Sequence, residues 1–109
     1  MTYTAENWEF IKRMDDLSDV SDTVFSKLHF EKQTYEYMAY GKYDCYKSPA
    51  GSFYMLEEVP GLQSYVIESA DNEYEASHGI FEDSGLFDMN QSYDELAKEV
   101  YRWLITYAE

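Results

Sequence analysis

Residues 33–47 read QTYEYMAYGKYDCYK, and their period of two decides the fold. Tyr35, Tyr37 and Ala39 alternate with Thr34, Glu36, Met38 and Tyr40, the pattern of a half-buried strand rich in aromatics. Gly41-Lys42 follows as a hairpin turn, because glycine accepts the positive φ that such turns need. Residues 43–47 then return as a second strand. Ser48-Pro49-Ala50-Gly51 predicts another turn, and residues 53–57 a third strand. Val59-Pro60-Gly61-Leu62 has the composition of a type II turn, with proline pre-setting one φ and glycine supplying the next. Tyr65, Val66 and Ile67 form the fourth strand.

Residues 70–91 are harder to read. Left structureless they would be a loop of about twenty residues, which is uncommon in a compact domain. Tyr74, Ala76, His78 and Ile80 alternate with Glu73, Glu75 and Ser77, which predicts a strand over 74–81 paired with the fourth across Asp71-Asn72. Asp83-Ser84-Gly85 then turns the chain toward Leu86 and Phe87.

Helices flank this region. Ser92-Tyr93-Asp94-Glu95 is a capping box, in which hydroxyl and carboxylate each satisfy an orphan backbone donor. Tyr93, Leu96, Ala97, Val100, Trp103, Leu104 and Tyr107 follow on one helical face. At the other end, Thr4 reads as the N-cap of a helix reaching Ser18, with Trp8, Phe10, Ile11, Met14 and Leu17 as its apolar half. A shorter helix over 19–30, capped by Ser21, carries Val20, Val24, Phe25 and Leu28. The expected fold is α+β: an antiparallel meander of about four to five strands with an N-terminal and a C-terminal helix packed on one face. A chain of 109 residues fits a single acidic domain, 1–109.

Charge narrows the function. The formal net charge is −14, with 22 acidic residues against 8 basic ones. Residues 48–97 hold no lysine or arginine and eleven carboxylates: Glu57, Glu58, Glu68, Asp71, Glu73, Glu75, Glu82, Asp83, Asp88, Asp94 and Glu95. Such a field repels nucleic acid and anionic membrane and speeds encounter with basic partners. Hydrophobic residues are 45% and aromatics 18%, enough for a folded core, so the chain is not a disordered acidic tail. Twelve tyrosines suit a half-buried sheet or a binding face, since the ring can be buried while the hydroxyl stays wet.

Catalytic and metal chemistry find little support. Cys45 is the one cysteine and His29 and His78 the two histidines, in no nucleophile or zinc spacing. Asp71, Glu73, Glu75 and Glu82 occupy positions of a calcium-loop template, but Ala76 stands where the loop needs glycine. No phosphate-binding glycine loop and no basic cluster with interleaved aromatics is present. The expectation is therefore neither enzyme nor metalloprotein, without a cofactor. A lone cysteine and the lack of an apolar leader or membrane-length run predict a cytoplasmic setting.

The acidic half is the remaining candidate. Solvent-facing strand residues recur at about 6.6–7 Å, near the spacing of same-strand phosphates in DNA. Glu68, Asp71, Glu73, Glu75, Glu82, Asp83, Asp88, Asp94 and Glu95 are thus expected to imitate a phosphate backbone, with Tyr65, Tyr74 and Tyr93 as rigid contacts. The expected partner is a basic nuclease or other nucleic-acid-binding protein. Nucleic acid and membrane are not expected to bind directly, and exposed strands leave monomer and homodimer both open. In size and charge the chain resembles the small phage-encoded anti-restriction and anti-CRISPR inhibitors, and the immunity proteins that neutralise nuclease toxins. No motif carries that likeness. It implies an acidic inhibitor or, as the alternative, an immunity-type adaptor that grips a basic partner at a site unrelated to nucleic acid.

Overall fold

The structure, a computed structural model, describes residues 14–38 and 41–108. Strands β1 (Glu31–Tyr37), β2 (Gly41–Lys47), β3 (Phe53–Val59), β4 (Ser64–Ala70) and β5 (Glu82–Asp88) form one antiparallel sheet in the order β1-β2-β3-β4-β5. Helices α1 (Leu17–Lys27) and α3 (Tyr93–Tyr107) pack on one face of this meander. A short helix, α2 (Glu73–Ser77), lies on the other. The fold is α+β, with the expected meander and both flanking helices.

Side-chain alternation sorts each strand onto two faces. Tyr46, Tyr54, Leu56, Tyr65, Ile67 and Phe87 meet Val20, Val24 and Phe25 of α1 and Leu96, Val100, Tyr101 and Leu104 of α3 in the main core. Removing this apolar surface from water drives the packing. A smaller cluster on the opposite face joins Cys45, Phe53 and Ala70 to Ala76 of α2.

Helix α1 is the shorter of the two expected N-terminal helices, moved slightly toward the N-terminus. Its cap is Asp16, whose Oδ1 accepts the N–H of Asp19 at 2.8 Å, rather than Ser21, which is buried. The expected helix from Thr4 lies mostly outside the described residues; where it enters them, residues 14–16 are not helical. A Schellman arrangement ends α1: Phe30 N–H donates to the Phe25 carbonyl and His29 N–H to that of Ser26, both at 3.0 Å. His29 adopts φ 64°, and the Phe25 and Phe30 rings pack 5.4 Å apart across the stop.

Several local expectations are corrected. Gly41 and Lys42 pair with Tyr37 and Glu36, so they belong to β2 and are not the turn. Residues Pro60–Leu62 make a single 3-10 turn, with the positive φ (50°) at Gln63 and not at Gly61, so no type II turn forms. Residues 74–81 are not a strand: residues 73–77 are helical, with Asn72 Oδ1 accepting the Glu75 N–H at 2.9 Å. Ile80 N–H donates to the Glu75 carbonyl at 2.9 Å, and Gly79 at φ 69° closes that helix by the same stop as α1. Asp83-Ser84-Gly85 is not a turn but part of β5, the actual partner of β4. Ser84 is the extra residue of a bulge, since Ile67 pairs with Gly85 and Glu68 with Asp83.

Helix α3 starts where expected, the Ser92 hydroxyl accepting the Glu95 N–H at 3.1 Å, but the Glu95 carboxylate accepts from the Ser92 hydroxyl at 3.2 Å and not from a backbone N–H. Its buried stripe gains Tyr101, fully enclosed, and loses Tyr107, which is 68% exposed.

Candidate functional site

The tyrosines of β1 and β2 explain why the segment after β4 folds back across the sheet. On the face away from α1 and α3, Tyr43 donates its hydroxyl hydrogen bond to the Ala76 carbonyl and Tyr35 donates to Glu73 Oε2 at 3.2 Å. The Tyr37 ring lies 5.3 Å from His78, and Tyr43 meets Phe81 edge-on at 6.3 Å. The rings are thus partly buried under α2, while the Tyr35 and Tyr43 hydroxyls tie down its first turn and backbone. Burial, then the bond to Glu73, pushes the Tyr35 hydroxyl up to about 12, so it remains a donor at neutral pH.

Beside α2 the same face carries carboxylates from three strands. Glu68 pairs directly with Asp83 across β4 and β5, and Glu57 is its diagonal neighbour on β3. Burial first, then a hydrogen bond with Glu57 and the charges of Glu57 and Asp83, raise the Glu68 carboxyl from 4.5 to about 8. This shift favours the protonated form of Glu68, in which its carboxyl can donate a hydrogen bond to Glu57. A cavity of about 310 Å³ opens here, lined by Lys42, Tyr43, Met55, Glu57, Glu68, Gly79 and Phe81.

The ion pairs given among the described residues lie elsewhere. Lys32 Nζ lies 3.2 Å from Asp22 and 3.7 Å from Asp44, the two ion pairs given among the described residues. Asp22 also accepts from the Tyr46 hydroxyl, and Thr34 donates to Asp44 at 2.7 Å. That network stitches α1 to β1 and β2 on the helical face, and it raises the Lys32 ammonium through its bond to Asp22. It involves none of the eleven carboxylates of residues 48–97.

The residues expected to bind a partner divide between the faces. Glu68 and Asp83 share the α2 side with Glu57, and Asp88 follows at the end of β5 by alternation. Asp71, Glu73, Tyr74 and Glu75 come with α2 and the turn into it. Tyr74 is 66% exposed with its ring stacked on His78 at 4.2 Å, and Leu86 on β5 is 63% exposed on this face. Glu57 and Leu86 were not among the expected contacts; only the register brings them there.

The others lie on the helical side. Glu82 alternates toward it, and Asp94 and Glu95 open α3. Tyr65 is only 6% exposed and packs in the main core with the partly buried Tyr93 against it, so neither ring stands free as an anchor. The phosphate-like ladder expected of Glu73 and Glu75 also fails. On a helix, residues two apart point to different sides, whereas on a strand they would form one row. Glu75 instead turns back to accept the Asp71 N–H at 3.1 Å. The calcium template is dispersed by the same change, and no group of three or more His, Cys, Asp or Glu among the described residues is arranged to hold a metal. His78 ends α2 rather than lining a strand, its Nδ1 2.7 Å from the Tyr74 carbonyl. No helix among the described residues is long and apolar enough to cross a membrane.

Comparison with protein-family models, with curated proteins and with solved structures finds no match to the chain.

Proposed function

We infer that this protein is a non-enzymatic inhibitor that binds a basic nucleic-acid-binding protein, such as a nuclease, through the sheet face bearing α2. One observation carries the reading: Glu57, Glu68, Asp83, Glu73 and Glu75 share that face, while the described ion pairs of Lys32 serve the opposite one. Glu68 favours its neutral form, but Glu57, Glu73, Glu75 and Asp83, in none of the ion pairs given among the described residues, together make a negative potential that steers a cationic groove and suppresses wrong partners. The surface resembles nucleic acid in its sign and concentration of charge, not as a regular phosphate ladder.

A second reading is favoured by the exposure of Tyr74 and Leu86 within the same face. An aromatic and an apolar anchor ringed by charge suit an immunity-type contact, in which the buried anchors hold the partner and the acids set the rate of encounter.

Charge reversal tests both. The triple variant Glu57→Lys, Glu73→Lys, Asp83→Lys and the variant Tyr74→Ala, each checked for folding by circular dichroism, are compared with the wild type for capture of a nucleic-acid-binding protein. On the inhibitor reading, capture is lost in the triple variant, weakens steeply with salt, and is reversed by added duplex DNA or RNA. Capture that resists nucleic acid and salt but fails in Tyr74→Ala selects the immunity-type contact. Undiminished capture by the triple variant rejects the acidic face altogether.

A further inference from the structure

The sheet has an opening in its interior. Strands β1–β2 and β3–β4 are each paired over seven positions, but β2 and β3 pair at only two, Tyr46 with Tyr54 and Lys47 with Phe53. The turn that joins them, where Ser48 N–H donates to the Ser52 carbonyl at 2.7 Å, sets the alternation of the ladder. Continued along the strands, it would pair Asp44 with Leu56 and Lys42 with Glu58, and both pairings are absent. The backbone N–H and C=O groups of these residues face a seam with no partner strand. A cavity flanks the seam on each side of the sheet. The 310 Å³ cavity with Glu57 and Glu68 lies on the α2 side. One of 210 Å³, lined by Leu17, Ser18, Ser21, Asp44, Tyr46 and Leu56, lies under α1.

We propose that this seam receives an extended, lysine- or arginine-bearing segment of the basic partner, which adds a strand between β2 and β3. The inference rests on the acidic-face reading and adds where and how the partner enters. An added strand would satisfy the two facing edges at once, the mode in which backbone bonds give affinity and pockets for alternate side chains give specificity. Alternation would send one set of its side chains into the α2-side cavity, where Glu57 and the adjoining Asp83 outnumber Lys42. The other set would enter the smaller cavity, whose Leu17 and Leu56 suit a short aliphatic group. Insertion would hold β2 and β3 about 9.5 Å apart, two strand spacings.

The probe is a blocked hexapeptide, acetyl-Lys-Val-Lys-Val-Lys-Val-amide, used with a twin of equal charge that is N-methylated at alternate residues. Binding to the wild type is followed by amide shifts and hydrogen exchange. The expected result is at least tenfold slower exchange at Lys42, Asp44, Leu56 and Glu58 with the plain peptide, and at least tenfold weaker binding of the twin. Equal binding of both peptides, with shifts confined to α2 and β5, overturns strand addition while leaving the acidic face intact as a docking surface. No binding of either peptide at millimolar concentration also overturns strand addition, and the acidic face is then judged by the charge-reversal variants alone.

Discussion

Gly85 of β5 lies directly against the indole of Trp103: a Cβ on Gly85 would sit 2.9 Å from both Cε2 and Nε1. The bulge at Ser84 precedes this contact, so β5 meets α3 backbone to ring with no side chain between them. Gly85→Ala is therefore expected to overpack the interface and cost about 1–3 kcal/mol in denaturant unfolding. Trp103→Leu in the same chain should recover part of the loss, because the two changes share one contact. Additive losses in the double variant would show that the contact is not the cause.

Helix α2 depends on its two ends. Asn72→Ala removes the acceptor for the Glu75 N–H and should cost about 1 kcal/mol. Gly79→Ala forces a side chain into φ 69° and should cost about 1–2 kcal/mol. Either change should speed amide exchange in α2 more than in α3. Uniform exchange across both helices would show that α2 is not a separately opening unit.

The Glu68 carboxyl gives a pH dependence of definite sign. In the folded protein it keeps its proton to about pH 8, whereas the unfolded chain releases it near 4.5. Between these values the folded state binds more protons, so this group's contribution falls as pH rises through the window. Glu57 and Asp83 face it with like charge and Lys42 lines the same cavity, so the wild type should lose stability from about pH 5 to 8 more steeply than Glu68→Gln. Parallel stability profiles for the two proteins would count against the buried proton, as would a Glu68 carboxyl signal titrating below pH 6 by NMR.

Cys45 should be chemically silent while the protein is folded. It is fully enclosed beside Phe53, Ala70 and Ala76, and burial, then the nearby Asp44 charge, push its thiol up to about 12. Reaction with a thiol reagent at pH 8 should therefore proceed only through opening, with a rate that follows the unfolding equilibrium as denaturant is added. Rapid stoichiometric modification in buffer would place the thiol outside the core.

How much of this was legible in the chain varies by element. The tyrosine alternation around residue 35 and the turn at residues 48–51 carried the meander, because a strand with one covered face must alternate and short turns must join neighbours. Ser92 and Glu95 announced α3 for an equally local reason. Asn72, Glu75 and Gly79 use the same start-and-stop grammar, and it marked α2 as plainly as the alternation of Tyr74 and Ala76 marked a strand. Over five residues the two periods cannot be told apart.

By itself, then, the sequence determined the fold class, the order of the first four strands, the last helix and the excess of negative charge, all set by neighbours close along the chain. Tertiary structure alone chose helix over strand at residues 73–77, by burying Ala76 against Cys45, Phe53 and Ala70 and giving the hydroxyls of Tyr35 and Tyr43 their acceptors. It also decided which carboxylates share a face, that burial raises the Glu68 carboxyl, and that β2 and β3 part after two pairs. These outcomes turn on desolvation and on pairing between groups tens of residues apart, which no local pattern encodes.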